Sequence, residues 1–383
     1  MTHPRVLVVT NFATHYRAPL FELLHERLGA EFLFFSEGGE DYWQPHLGVT
    51  EGRFPATTAM GGPGVGKVRF NSRLLRELRS RDFDVVVKCM NGRGELPLTY
   101  AMARHKGAAF VLWTGMWMHP QTVFHSLSQP LVRGVYRHSD AIVTYGTHVS
   151  KFVIGEGADA RSVFEAENAT DNTLYSRAVS TRELHGVRSR YGIPEGKVVL
   201  AVSRLVAQKG LETLVDSIGL LPGPRPCLVI VGTGPLKAEL EMRAAARDVP
   251  IVMIGGVQPQ ELAPLYALAN VFVMASVRTR TFLETWGLAC NEAMCQATPV
   301  IATTSVGAVA GGLIVDGETG IVVPERDTDT LATALRRVLG SPEYSAELGR
   351  RGRERITLTS FDNMADGFER AIRHALARRE ANS

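Results

Sequence analysis

Residues 198–218 read VVLAVSRLVAQKGLETLVDSI. Val198–Val202 is an unbroken apolar run of strand length. Leu211–Ile218 then places apolar residues at 211, 214, 215 and 218, the spacing of one helix face. A buried strand that runs through a polar loop into a helix is half of a βαβ unit. The loop carries Arg204 and Lys209, at the carboxyl end of the strand, where parallel sheets place their ligands. Arginine grips a phosphate through two hydrogen bonds, and lysine supplies a compact mobile charge. A diphosphate leaving group would be met by this pair, although two solvated surface charges would read the same way.

The rhythm continues on both sides. Downstream, strands are expected at Cys227–Val231, Ile251–Ile254, Val271–Met274 and Val300–Thr303. Helices are expected at Leu236–Arg247, Gln260–Ala267, Gly287–Gln296 and Asp329–Leu339. Upstream, strands Val6–Val9, Glu31–Phe35, Val85–Lys88, Phe110–Trp113 and Ala141–Tyr145 alternate with helices Ala18–Leu28, Ser72–Ser80 and Leu96–His105. Such alternation predicts parallel sheets covered by helices on both faces. A chain of 383 residues suits two such domains. The charged segment Ser176–Gly196 is expected to link them, giving domains at 1–178 and 179–360. A final helix within 361–383 is expected to pack back toward the first domain.

With 45% hydrophobic and 21% charged residues, disorder is excluded, and a formal charge of +3 does not announce nucleic acid. The four cysteines form no CxxC pair, so neither a disulfide framework nor a zinc site is expected. The opening MTHPRVLVVTNF lacks the apolar core of a secretory leader, and no run is long enough to span a bilayer. A cytoplasmic location is expected, with peripheral contact at the inner membrane face left open. The arginines of Arg69–Arg81 would serve such contact, but a solvated helix face explains them better.

Two glycine-rich stretches mislead. Gly61–Val68 nearly spells a P-loop but has Val68 where a magnesium-binding hydroxyl belongs. Gly232-Thr-Gly234 follows a good strand, yet Lys237 replaces the small third residue of a dinucleotide fingerprint, so a tight turn is expected. Asn168-Ala-Thr170 is a sequon without a secretory context.

The sharpest chemistry lies in ETWGLACNEAMC, 284–295. Gly287 permits a loop and Leu288–Cys295 forms a helix, so Glu284 precedes the helix and Glu292 lies inside it. The free amides near Gly287 and Leu288 make a positive pole suited to an anionic or hydroxyl-rich ligand. Two surface carboxylates on an ordinary helix are the alternative reading.

The segments SRLVAQKG, VGTGPL, ETWGLACNEAM, PVIATTSVG and DGETGIVVP, in this order, resemble the donor domain of retaining GT-B glycosyltransferases of family 4. The likeness is strong over about 195–360 and weaker upstream, through DAIVTYG (140–146) and NATD (168–171). It implies two facing Rossmann-like, doubly wound domains with an interdomain cleft, and transfer of a sugar from a nucleotide diphosphate to a hydroxyl acceptor. It further implies that Glu292 holds the ribose, Glu284 the transferred sugar, and Arg204 and Lys209 the diphosphate. Trp286, Gly287 and Leu288 would hold sugar or phosphate oxygens, and Gly255, Gly256 and Val257 would lie beside the nucleobase.

The family usually has a histidine after a strand of the first domain. Here His119 is the candidate, later than usual, with His125 as the alternative. The frequent Gly-Gly of the first loop is replaced by Asn11–Arg17, which makes His15, Tyr16 and Arg17 acceptor-site candidates. The alternative is that Tyr16 and Arg17 simply start the helix. Ala275, Thr285 and Gln296 stand where the family commonly has Pro, Pro and Gly. No cofactor and no metal are expected, the cations taking a metal's place beside a nucleotide-sugar co-substrate. A sugar-nucleotide epimerase and a catalytically silent scaffold are the rival readings. A glycan phosphorylase would need a pyridoxal lysine, which has no recognisable site.

Overall fold

The computed structural model describes residues 4–36, 52–60, 64–65, 68–69 and 71–381, with only the backbone at 64–65 and 68–69. The chain forms two units, Met1–Asn168 with Phe361–Ser383, and Ala169–Ser360.

In chain order the first unit contains β1 Val6–Thr10, α1 Ala18–Leu28, β2 Glu31–Phe34, β3 Ala56–Thr58, β4 Gly64–Val65, β5 Val68–Arg69, α2 Ser72–Ser80, β6 Val85–Cys89, α3 Glu95–His105, β7 Ala109–Thr114, α4 Val123–His138, β8 Ala141–Thr144, α5 Thr147–Gly155 and β9 Val163–Glu165. Seven of these strands form one sheet in the order β3-β2-β1-β6-β7-β8-β9, every pairing parallel. Their near-continuous apolar runs follow from helices covering both faces, so no alternation is required. The order reverses between β1 and β6, and β4 and β5 form a separate antiparallel pair. The rest of the P-loop-like stretch lies outside the described residues.

The second unit contains α6 Asn172–Tyr175, α7 Thr181–Tyr191, β10 Val198–Val202, α8 Leu211–Gly219, β11 Cys227–Val231, α9 Lys237–Ala246, β12 Ile251–Ile254, α10 Leu262–Leu268, β13 Val271–Met274, α11 Leu288–Cys295, β14 Val300–Thr303, α12 Gly307–Ala310, β15 Ile321–Val323, α13 Thr328–Gly340 and α14 Pro342–Ile356. Its sheet is also parallel, in the order β12-β11-β10-β13-β14-β15, and reverses between β10 and β13. The chain ends with α15 Phe361–Glu380, which belongs to the first unit. There Phe368 meets Trp113 edge-on at 5.1 Å, and Arg27 hydrogen-bonds Asp366 at 2.7 Å.

Helix α4 was not expected from the sequence, and along 168–196 two further features differ from expectation. The supposed linker holds α7, none of whose residues is buried. A reciprocal Ser180–Glu183 capping box starts it, and Gly192 in the left-handed region ends it. The units divide at 168/169 rather than 178/179, and the intervening α6 packs within the second unit, where the Tyr175 ring lies 6.3 Å from that of Tyr266.

Candidate active site

Lysine 209 ends a short 3-10 turn after β10, and Gly210 follows it with φ +60. A Cβ on Gly210 would sit 2.1 Å from the Ala275 carbonyl. Only glycine lets this loop lie against the chain leaving β13. That approach brings together side chains from both sides of the switch point. The Lys209 ammonium donates to Glu284 Oε2, and Ser276 Oγ donates to the same oxygen at 2.9 Å. Lysine and glutamate side chains are only 13% and 12% exposed, and the ammonium lies 5.4 Å from the Phe282 ring centre. Arg204 is half-buried on the same loop. Gly232 and Gly234 make the expected tight turn. A Cβ on either would strike the Ser203 or Leu205 carbonyl, at 2.0 and 2.4 Å.

Gly287 precedes α11 with φ +100 and no side-chain cap. The Cys290 amide bonds back to the Gly287 carbonyl at 2.9 Å, whereas the Leu288 and Ala289 amides come before the helix offers an acceptor of its own. Gly255, Gly256 and Val257 follow β12 at the same edge of the sheet, where the Ile254 carbonyl accepts from Gly232 at 2.9 Å.

Glu292 is buried on α11, and Tyr266 donates its hydroxyl to Oε2 at 2.6 Å. Tyr175 also hydrogen-bonds this carboxyl. Burial pushes the carboxyl up to about 7, against the partial opposition of the two tyrosine hydroxyls. Trp286 needs correction as a donor-binding side chain. It is wholly buried, and its indole donates to Asn291 Oδ1 at 2.9 Å, so it braces the loop from beneath.

In the first unit, the loop 11–17 leaves β1 beside the loop that leaves β6. Asn91 Nδ2 joins them, donating to Thr10 Oγ1 at 3.2 Å and Asn11 Oδ1 at 3.0 Å. Lys88 is fully buried beneath, donating to the carbonyls of Cys89 and Asn91 and to Asn91 Oδ1 at 2.7 to 2.9 Å. Burial lowers it to about 8. His15 and Tyr16 are half-buried, their rings edge-on at 5.2 Å.

Arg17 is corrected as an acceptor residue. It stands at the N-cap position of α1 without capping it and turns its side chain inward, donating to Tyr145 at 2.9 Å, with its guanidinium 5.2 Å from the Trp113 ring centre. The helix-start reading therefore holds for it. His119 lies with Nε2 3.2 Å from Glu156 Oε2 and its ring 5.1 Å from that of Phe152. His125 shares a cavity lining with it, and burial, together with Arg93 and His119, lowers His125.

The sequence reading missed Ser276, Tyr175, Tyr266, Lys88 and Asn91. A lysine inside the apolar run VVVKC and a serine just beyond VFVM were the signals for two of them. The tyrosines carried none, because only the fold brings them to Glu292.

Comparison with known proteins places this geometry. Residues 187–355 match the family described as glycosyl transferases group 1. The chain is 31% identical over 245 residues to sulfoquinovosyl transferase SQD2 of Arabidopsis thaliana, spanning 61% of this chain and 45% of that one. Over 320 residues it is 31% identical to a GDP-mannose-dependent alpha-(1-6)-phosphatidylinositol monomannoside mannosyltransferase of Mycobacterium tuberculosis, covering 80% of this chain and 78% of the relative. Among solved structures, Anabaena HepE with UDP-glucose superposes at a TM-score of 0.76 with 16% identity, over 96% of this chain and 99% of HepE. The two Rossmann-like sheets and these relatives establish that the chain belongs to the group 1 glycosyltransferases, sugar-transferring enzymes of GT-B fold.

Proposed function

We propose that this enzyme takes a sugar from a nucleotide-diphosphate donor and passes it to a hydroxyl acceptor with retention of anomeric configuration and without a metal ion. The observation that carries the reading is the Lys209–Glu284–Ser276 cluster at the switch point of the second sheet, on the loops that also present Arg204 and the first amides of α11.

The sugar C1–oxygen bond to the diphosphate breaks, and charge develops on the departing phosphate. Arg204, Lys209 and the α11 amides would meet that charge, any rearrangement having been completed when the donor bound. On donor entry Lys209 shifts its contact from Glu284 toward phosphate, and Glu284 turns its acceptor oxygens to the sugar hydroxyls. The acceptor oxygen bonds to C1 on the face the phosphate leaves, and its proton passes to the phosphate oxygen. A carboxylate already shared by a lysine and a serine suits holding hydroxyls better than acting as a base on the opposite face. In the first unit, His15 and Tyr16 are assigned to the acceptor. His119, engaged with Glu156, is assigned to positioning the loop after β7. The cation pair supplies the charge a divalent ion would otherwise supply.

The test is a thermal-shift and calorimetric panel of UDP, GDP, ADP, dTDP and CDP on wild type and Glu292→Ala. One nucleotide should raise the melting point of wild type alone. Incubation with the matching sugar nucleotide and candidate acceptors, read by NMR of the product, then fixes the anomeric outcome. Failure of all five nucleotides would refute the donor site, and an inverted product would refute retention.

A further inference from the structure

Helix α4 turns apolar side chains outward. Val123 and Leu127 are each 78% exposed, Leu131 is 54% exposed and Phe124 is also exposed. At about 3.6 residues per turn these four fall on one arc of roughly 100°. Arg133 and Arg137 are exposed along one flank of that arc. Arg93 lies across the other end, its guanidinium 4.4 Å from the Phe124 ring centre. The inward side of α4 is anchored by the buried Val135 and Tyr136. The outward residues are therefore a second apolar surface, one the unit's own core does not use.

Charge decides what fits there. Residues 96–139 contain no Asp or Glu but include Arg104, Lys106, Arg133, Arg137 and four histidines. Of the flanking acids, Asp140 pairs with Arg104 at 2.9 Å, Glu156 at the end of α5 is engaged by Arg133 at 2.6 Å and by His119, and Glu95 stands two residues from Arg93. Arg137 and Arg93 remain beside the apolar arc. Two copies meeting face to face would bring these cations together, which disfavours self-association. An apolar stripe flanked by arginines suits the boundary between acyl chains and anionic headgroups. No described helix is long and apolar enough to cross a membrane, so the contact is with a surface. A cavity lined by Leu96, Met116, Phe124 and Val132 adjoins the helix and extends the apolar character inward.

We propose that α4 is an interfacial helix that lays Val123, Leu127 and Leu131 into an anionic lipid bilayer, with Arg93 and Arg137 against its headgroup phosphates. The site is thus separate from α2, whose arginines had suggested membrane contact.

The experiment is co-sedimentation of the full chain with vesicles of phosphatidylcholine alone or mixed with phosphatidylglycerol, without donor or acceptor. Wild type should bind the mixed vesicles, with weaker binding as salt rises. The triple variant Val123→Gln, Leu127→Gln, Leu131→Gln and the double variant Arg93→Glu, Arg137→Glu should each bind about tenfold less or worse, with unchanged melting points. An added Leu127→Trp should show a blue shift in its emission on the mixed vesicles. No wild-type binding, or binding indifferent to lipid charge, would overturn the proposal. So would loss only with Arg73→Glu, Arg76→Glu, Arg79→Glu, or a dimer in sedimentation velocity that the triple variant abolishes.

Discussion

Replacing Glu292 with glutamine should stabilise the protein, increasingly so as pH rises. The carboxyl is buried and shared by two tyrosine hydroxyls, and burial carries it from 4.5 to about 7. Between these values the folded chain keeps a proton that the unfolded chain has released. Stability from this group is therefore complete below pH 4.5, declines as pH rises through the window, and is lost above 7. At about 1.36 kcal/mol per pH unit the interval amounts to about 3 kcal/mol, and relaxation around the charge brings the expectation to about 1–3 kcal/mol. Glutamine has no proton to release. Its amide oxygen can accept from one tyrosine, and its nitrogen can donate to the other. Urea unfolding of wild type and Glu292→Gln from about pH 5 to about pH 8, followed by tryptophan fluorescence, measures the difference. The variant should gain on wild type across that range and then hold level. A difference independent of pH, or one that favours wild type as pH rises, would refute the reasoning. The same variant should bind nucleotide poorly, because gain in stability and loss of function often share a residue.

Nucleotide affinity of wild type should fall as pH drops below about 7, since a protonated Glu292 accepts ribose hydroxyls less well. Calorimetry at matched ionic strength checks it, and a flat profile would remove Glu292 from the ribose. Lys209→Ala should lower turnover by on the order of 10²–10³-fold with circular dichroism unchanged, and near-normal turnover would reject the diphosphate role. A chelator should leave activity unaltered, whereas a loss restored by magnesium would reject the metal-free mechanism. Gly287→Ala should cost about 1–3 kcal/mol of stability, because φ is +100 and the new Cβ would lie 2.4 Å from Met274 Sδ. A melting point equal to wild type would contradict that.

The readable parts of the chain were those where burial leaves a simple imprint. VVLAV and CLVIV are strands buried on both faces, so every position is apolar, and a polar or glycine residue, Ser203 or Gly232, marks the end of each. The positions of Arg204, Lys209, Glu284 and Glu292 were legible because they lie in the loops that leave such strands or on the helix that follows. Helix α4 was not, since several of its apolar side chains point outward and Pro130, a helix breaker in sequence terms, stands inside it. Helix α7 buries nothing and is held by its caps, although S-T-R-E at 180–183 was a usable signal. Arg17 and Trp286 were misplaced for a common reason. Partners distant in sequence, Trp113 and Tyr145 for the arginine, or a turn further along a helix, Asn291 for the indole, decided which way they faced.

The grouping of α15 with the first unit has a consequence for synthesis on the ribosome. The second unit is one continuous stretch, 169–360, and can complete its core as soon as that stretch has emerged. The first unit emerges earlier but waits. Trp113 and Arg27 meet Phe368 and Asp366 only after the whole of the second unit has been translated. Domains usually mature in the order in which they leave the ribosome, and here the first unit's last helix is the last part of it to be made. A late frameshift or premature stop that removed only 361–380 would therefore spare the nearer unit and strip the cover from the one made first.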